Sequence, residues 1–397
     1  MLALAAGLRF FALGAASIQI DEAMSWLSSA GYPDVHPPLF YWMLNGWARL
    51  GSGEFWLRTL PVLASLLALF LWARVSRNPL SVLLLATSFA ELQQDREVRM
   101  YAFLELWAVA HLWALMSTRW WLAGLTLLAA CFTHLFGLFL VPLAWFWGCR
   151  RLYGVMLLWL MWAVPHYLGQ LDHPLGLRQV PTLAMEVEAV GRLVTGRVAA
   201  FGDPLSLVAG ALGVAWLAWR PVCPAWVYYW ALGPWLSLWL VSRFTPIQLF
   251  EFKYLVWTLP AWTLLLASSM PLVWFWVGVN LWGAIPWLLW PDQTMADWRG
   301  VADRVRPAGL PVVVHPSMMA APLLFYGLGP PRLQFVDEVG QIPQGPMIWV
   351  STPHHPYVVS QGLLRHLRGL RGRTVFPSRL PSSVVEVSVW EGEKQGR

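Results

Sequence analysis

Two short stretches near the start of this 397-residue chain concentrate residues able to do chemistry. Asp21 and Glu22 are adjacent, and a dozen residues later come Asp34, His36, the Pro37-Pro38 corner and Tyr41. Carboxylates and imidazoles can take a proton and orient a hydroxyl, and a Pro-Pro corner holds the backbone between them rigid. Each piece alone has a plainer reading. An acid in a loop is usually just solvated, and His36-Pro37-Pro38 turns the chain into the amphipathic stretch 38–50, because proline suits a first helical turn. Their co-occurrence favours chemistry on a hydroxyl. Further along, the segment 91–99 reads as a charged cap between two helices, with Asp95 and Arg99 at i, i+4 spacing. Glu105 and His111 share one apolar segment and are expected to make a buried polar contact there. His134, His166 and His173 have no metal-binding spacing such as HExxH. Lys253, with Lys394 one of the chain's lysines, has an ordinary reading as an interfacial residue that snorkels.

The elements that must position these groups are apolar. The chain is 58% hydrophobic and only 12% charged, with 29 tryptophans. That charged fraction is roughly half the soluble average, which excludes an ordinary cytosolic enzyme, and the apolar content excludes disorder. Indole rings favour the headgroup layer, so the tryptophans suit a multi-spanning membrane protein. The net charge of +6 is scattered as single basic residues, which argues against nucleic acid. Cys131, Cys149 and Cys223 form no CxxC pair, which argues against a disulfide framework or thiolate metal site.

Apolar segments of about spanning length lie near 1–19, 55–73, 78–92, 101–117, 120–133, 135–149, 152–169, 204–219, 224–241, 253–270 and 271–290, about eleven spans. Arg74 with Arg77, Arg119, Arg150 with Arg151, and Arg220 fall in alternate short loops without acids, which makes those loops cytoplasmic by the positive-inside rule. The outer face then carries the loops 20–54 and 170–203, the segments 93–100 and 242–252, and everything after 290. We expect a plasma (inner) membrane protein with no removable signal peptide. Arg9 lies within the first apolar stretch, so it faces the protein interior or the span begins upstream.

Composition divides the chain into a membrane domain, 1–290, and a soluble extracytoplasmic domain, 291–397. In the latter, 311–315, 332–336, 347–351 and 383–390 read as strands, and 317–328 and 357–369 as helices, giving a small α/β domain. Segment 181–200 has helical periodicity with polar flanks and reads as an amphipathic helix on the outer face. The fold class expected is thus an α-helical polytopic membrane protein with a small C-terminal α/β domain.

Several ordered motifs resemble one family. Asp21-Glu22-Ala23 with Ser25, then His36-Pro37-Pro38-Leu39 with Tyr41, then Arg58 opening the second span, resemble membrane glycosyltransferases of the GT-C superfamily. The pattern is similar to the bacterial protein-mannosyltransferase-like, dolichyl-phosphate-mannose-dependent enzymes, including the rhizobial core-oligosaccharide transferases. Arg99-Met100-Tyr101 looks like the family's R-x-Y, and Thr133-His134 with Gly137 resembles its fifth-to-sixth-span turn. Lys253-Tyr254 before Leu259-Pro260 resembles R-Y-L…P, with Lys in place of Arg. Asp297-Trp298-Arg299 resembles the DWR that opens the outer domain, and Arg9 also has a counterpart. The motifs span most of the chain, and their order is more specific than any one of them.

The resemblance implies transfer of a sugar from a polyprenyl-phosphate carrier to a hydroxyl on the outer face, with inversion at the anomeric carbon. The acceptor could be a glycan, a lipid or a protein. Such a displacement needs a base near the acceptor hydroxyl and cations near the departing phosphate. Aligned with the family's DE motif, Asp21 is the expected base, and Glu22 orients the acceptor or holds a neighbouring Arg. Lys253 and Arg99 are expected at the donor phosphate, with Arg58, Tyr254 and His36 behind them. A lysine there supplies a point charge where arginine supplies a bidentate fork. Arg243 and Glu251 share that loop. His36, Asp34, Tyr101, His134 and Asp95 are expected to position the acceptor or its loop. No cofactor is implied. The superfamily contains metal-dependent and metal-independent members, so a divalent metal stays open, with no metal ligands assigned. The C-terminal domain shows no catalytic motif; it is expected to cover the active-site cavity or contact the acceptor, or, on the plainer reading, simply to pack on the outer loops. The competing readings are a lipid-linked-sugar transporter or flippase, and a non-catalytic polyprenyl-lipid-binding protein.

Overall fold

The computed structural model describes residues 1–168, 182–195, 204–219, 223–245, 251–290, 295–315, 317–336, 346–351, 370–376 and 385–390. The chain forms two compact units. The first comprises Met1–Phe11, Pro33–Trp47 and Arg58–Pro286, and the second Ala12–Tyr32, Ala48–Leu57 and Trp287–Arg397.

The first unit is helical. It contains α1 (Leu2–Phe10), α3 (Leu39–Ala48), most of α4 (Glu54–Ser76), α5 (Pro79–Thr87), α6 (Phe89–Asp95), α7 (Tyr101–Met116) and α8 (Trp120–Thr133). After the 3-10 helix Leu135–Trp147 come α9 (Leu152–Leu168), α10 (Leu183–Thr195), α11 (Pro204–Trp219) and α12 (Ala225–Phe244). The 3-10 helix Phe252–Thr258 leads into α13 (Leu259–Leu266), and α14 (Met270–Leu289) follows. Among these, α4 and α14 are long and apolar enough to cross a membrane alone, while α7, α8 and α9 are shorter apolar helices. One large core holds Trp72, Trp159, Trp230, Trp257, Trp262 and Trp276 wholly buried. Other indoles lie on the exterior, Trp282 at 79% exposure and Trp121 at 73%. Tryptophan therefore serves both core and apolar outer surface here.

Local sequence explains where the helices break. The apolar stretch 78–92 divides because Ser88 leaves the helical region and caps α6, its Oγ accepting from the Glu91 N–H. The stretch 253–270 begins as a 3-10 helix, and Pro260 enters at the first turn of α13. The stretch 1–19 departs most from expectation. Helix α1 stops at Phe10, and Ala12 adopts a left-handed φ of 50°. Helices α10 and α11 pack backbone to backbone, since a Cβ at Gly191 would overlap the Ser206 carbonyl and one at Gly210 the Val187 carbonyl. This α10 is the amphipathic helix expected within 181–200.

The second unit contains α2 (Ile20–Ser29), α15 (Trp298–Val305), α16 (Ala320–Phe325) and a five-stranded sheet of order β2-β1-β3-β5-β4. The strands are β1 (Val312–His315), β2 (Leu333–Phe335), β3 (Met347–Ser351), β4 (Leu370–Phe376) and β5 (Val385–Trp390). β2, β1 and β3 are parallel, while β5 pairs antiparallel with β3 and β4. The core of this unit joins Trp298, Val301 and Val305 of α15 to Val312, Val314, Ile348 and Val350 of the sheet. Strand β4 was not expected. It lies at the edge of the sheet, and Arg371 and Arg373 interrupt the apolar pattern of its sequence. The helix expected over 357–369 lies outside the described residues.

Candidate active site

The acidic pair sits at the start of α2, in the second unit. Glu22 closes a capping box, its Oε2 accepting from the Gln19 N–H at 2.9 Å, and the residue is 1% exposed. Asp21, one position earlier, is half-buried. The segment before the pair is tied down by residues far away in sequence. Ser17 Oγ donates to the Ala296 carbonyl at 2.7 Å and accepts from the Trp298 N–H at 3.0 Å. The Gln19 amide also donates to the Ala296 carbonyl. Tyr326 accepts from the Ile18 N–H and donates to Glu54 Oε1 at 2.7 Å. Burial raises the Tyr326 phenol's pKa and the adjacent Glu54 carboxylate raises it further, which keeps that proton in place.

The Asp297-Trp298-Arg299 tripeptide is therefore a brace for this segment. Asp297 caps α15 through the Gly300 N–H, Trp298 is wholly buried, and Arg299 meets Glu54 at 2.7 Å and the Gly14 carbonyl at 3.1 Å. Glu54 and Tyr326 were missed in the sequence because nothing local marks either as a partner of a segment hundreds of residues distant.

A second group of functional candidates forms in the first unit. Asp34 Oδ1 lies 2.6 Å from His36 Nδ1 and also accepts the His36 backbone N–H at 2.9 Å. Burial works to raise the Asp34 pKa, but these contacts and the Arg99 charge hold it well below the usual carboxylate range. The His36 ring is 5.3 Å from that of His134. Around His134 stand Tyr101 at 5.9 Å, Tyr254 at 6.0 Å and Phe136 at 4.5 Å, centroid to centroid. The Arg99 guanidinium lies 5.8 Å from the Tyr101 ring centroid, and Lys253 Nζ 5.7 Å from that of Tyr254. Glu251 is 3.4 Å from Lys253. Tyr41 belongs here too: burial raises its pKa, against the lowering effect of Arg99. His36, Asp34, Tyr101, His134, Tyr254, Arg99 and Lys253, named separately in the sequence, thus converge. Arg58 is buried near the start of α4.

His134 is held by its turn. It caps the 3-10 helix Leu135–Trp147, with Nδ1 accepting from the Phe136 N–H at 3.1 Å. A Cβ at Gly137 would come within 2.5 Å of the α8 backbone at Ala130 and Cys131, so only glycine lets the turn close. Burial pushes the His134 pKa well down, and the nearby His36 and Arg99 charges push the same way.

Asp95 lies elsewhere. It is the counter-ion of Arg9, at 2.7 Å with both side chains buried, and not a partner of Arg99 or a loop residue free to position an acceptor. Helix α6 turns it inward, and the cost of burying Arg9 demands a carboxylate there. Arg9 also donates to Ser65 and to the Ala5 and Ala86 carbonyls. Its place in the interior is the first of the two alternatives expected for it. Glu91 and Glu105 join Asp95, and among the described residues this trio is the one set of three metal-capable side chains, with oxygens within 4.8 Å of one another. Arg9 already occupies Asp95 Oδ2 at 2.8 Å. Glu105 therefore faces Glu91 and Asp95, while His111 Nδ1 turns to the Ala123 carbonyl at 2.9 Å, so the expected Glu105–His111 contact does not form. Six residues apart on a helix, the two side chains point to different faces.

The second aromatic-cationic group therefore offers hydrogen-bond donors and positive charge suited to an oxyanion, and α2 offers a partly exposed carboxylate suited to a base. No protein-family model matches the chain, and neither does any curated protein. Among solved structures, it is similar to ArnT from Cupriavidus metallidurans bound to undecaprenyl phosphate, at 14% identity and a TM-score of 0.53, with 97% of this chain and 96% of that chain covered. The apo state of the same protein gives 14% identity and a TM-score of 0.48. The first of these likenesses shows the fold: a mainly helical, ArnT-like architecture with a small C-terminal sheet.

Proposed function

We propose that this chain is an inverting membrane glycosyltransferase that moves a sugar, with a mannosyl-type hexose the first candidate, from a polyprenyl-phosphate carrier to an acceptor hydroxyl. The observation that supports it most is the convergence of Arg99, Lys253 and His36 on one aromatic group, though they lie up to 217 residues apart. Cations with aromatic faces suit the phosphate of a lipid carrier, and ArnT, whose fold this chain shares, binds undecaprenyl phosphate. In this reading the acceptor oxygen attacks the anomeric carbon and the carbon–oxygen bond to phosphate breaks. Asp21 takes the acceptor proton, while Arg99 and Lys253 stabilise the charge left on the departing polyprenyl phosphate. That leaving group needs no acid. Glu22 holds the cap that orients Asp21. The protein would sit in the plasma membrane with residues 291–397 outside.

Asp21→Asn is expected to abolish transfer of radiolabelled sugar in membranes while expression and thermal unfolding stay as in the wild type; full transfer would sink the assignment. A lipid-sugar transporter is the second reading, favoured by the buried Arg9, Asp95, Glu91 and Glu105, since ionisable groups inside a helical membrane domain often mark a transport path. A covalently glycosylated product separates the two, because a transporter delivers the lipid-linked sugar unchanged.

A further inference from the structure

The hydrogen bonding of His134 fixes its tautomer. The Phe136 backbone N–H can only donate, so Nδ1, 3.1 Å away, presents its lone pair. A neutral ring with a bare Nδ1 carries its proton on Nε2. Among the described residues that N–H has no hydrogen-bond partner, although the residue is only 4% exposed. It lies across the ring from the backbone contact, and the rings of His36, Tyr101 and Tyr254 stand within 6.0 Å of the His134 ring, centroid to centroid. Leaving a buried donor unsatisfied costs its full desolvation, so such a group is usually met by a ligand or water. Backbone geometry enforces the arrangement, since Gly137 lets the turn close and Phe136 N–H holds the ring.

We propose that His134 Nε2–H is a neutral hydrogen-bond donor to a phosphate oxygen of the polyprenyl-phosphate carrier, acting beside the charged Arg99 and Lys253. This rests on the reading that this aromatic group holds the carrier phosphate, and it moves His134 from positioning the acceptor to recognising the donor. An uncharged donor of fixed tautomer distinguishes a phosphate from the bare alcohol of the same lipid without adding another cation to the site.

The test compares undecaprenyl phosphate with undecaprenol, each titrated onto the full-length protein in nanodiscs. The wild type is expected to prefer the phosphate. His134→Phe, which keeps a ring but no donor, is expected to bind undecaprenyl phosphate about tenfold more weakly, as for one lost charge-assisted hydrogen bond, with undecaprenol binding unchanged. His134→Gln, which can both accept and donate, is expected to restore most of the preference. A packing role alone would weaken both lipids alike, and that result overturns the proposal. A wild type with no preference for phosphate overturns the carrier reading itself, and this inference with it. Should His134→Phe fail to fold, the wild type suffices. In protein labelled with 15N-histidine, the Nε2 proton of His134 is expected to move downfield with undecaprenyl phosphate and not with undecaprenol. No movement with either lipid overturns the proposal.

Discussion

Asp34 illustrates what a single side chain gains from its surroundings. Its depressed pKa comes from His36 and Arg99, with Tyr41 close by, and prevails over the opposing effect of burial. A carboxylate whose folded pKa lies below its unfolded value of about 3.9 adds stability above that pH and loses it as pH falls toward the folded pKa. Asp34→Asn is therefore expected to lower the unfolding midpoint near neutral pH. The gap from the wild type should close below about pH 4, and a pH-independent gap in thermal unfolding would count against the pairing. The sequence marked Asp34, His36 and Tyr41 as a group because they lie within eight positions of one another. Their local spacing could not show that Tyr101, His134 and Tyr254, named through separate motifs, would stand together, because ring-to-ring approach across 33 to 120 residues leaves no local trace.

At the scale of elements, glycine positions are the most telling. Gly137 was legible as part of a motif, but the reason for it is the approach of the His134 turn to the α8 backbone. Helices α10 and α11 rely on the same device, with Gly191 and Gly210 letting two backbones touch. Gly191→Leu is expected to force these helices apart and cost about 1–3 kcal/mol, the usual range for overpacking. Cysteine pairs placed across α10 and α11 should then cross-link more slowly than in the parent, and equal rates would contradict the packing. Helix positions were readable because apolar runs are local, but the breaks at Ser88 and before Pro260 divide two runs that read as continuous in the sequence. Where α1 stops was not readable either, because Ser17 and Gln19 are committed to Ala296 and Trp298 by hydrogen bonds that span nearly 280 residues. Strand β4 escaped for a related reason, since an edge strand tolerates charge that a central strand would not.

At the scale of the whole molecule, the scarce charges are spent on tertiary pairing as well as on the candidate site. Arg9 and Asp95 are 86 residues apart and share a buried ion pair. Arg9→Met should destabilise by about 3–5 kcal/mol, because Asp95 would be left as an uncompensated buried charge. Arg9→Met with Asp95→Leu should recover much of that loss, and calorimetry or chemical unfolding that shows no recovery would refute the pair. Composition by itself determined a helical, largely apolar protein with a small mixed domain at its end, because hydrophobic periodicity and charge content act on every residue locally. The ordered motifs also named most of the candidate residues. Only the tertiary structure decided which of them meet: Asp95 leaves the group to neutralise Arg9, while His36, Arg99, His134, Lys253 and Tyr254 come together. It also turned Asp297-Trp298-Arg299 into a brace for the segment that carries Asp21. The reason is physical: a buried charge or donor must find a partner in space, and the chain's folding, not its order, determines which partner is near.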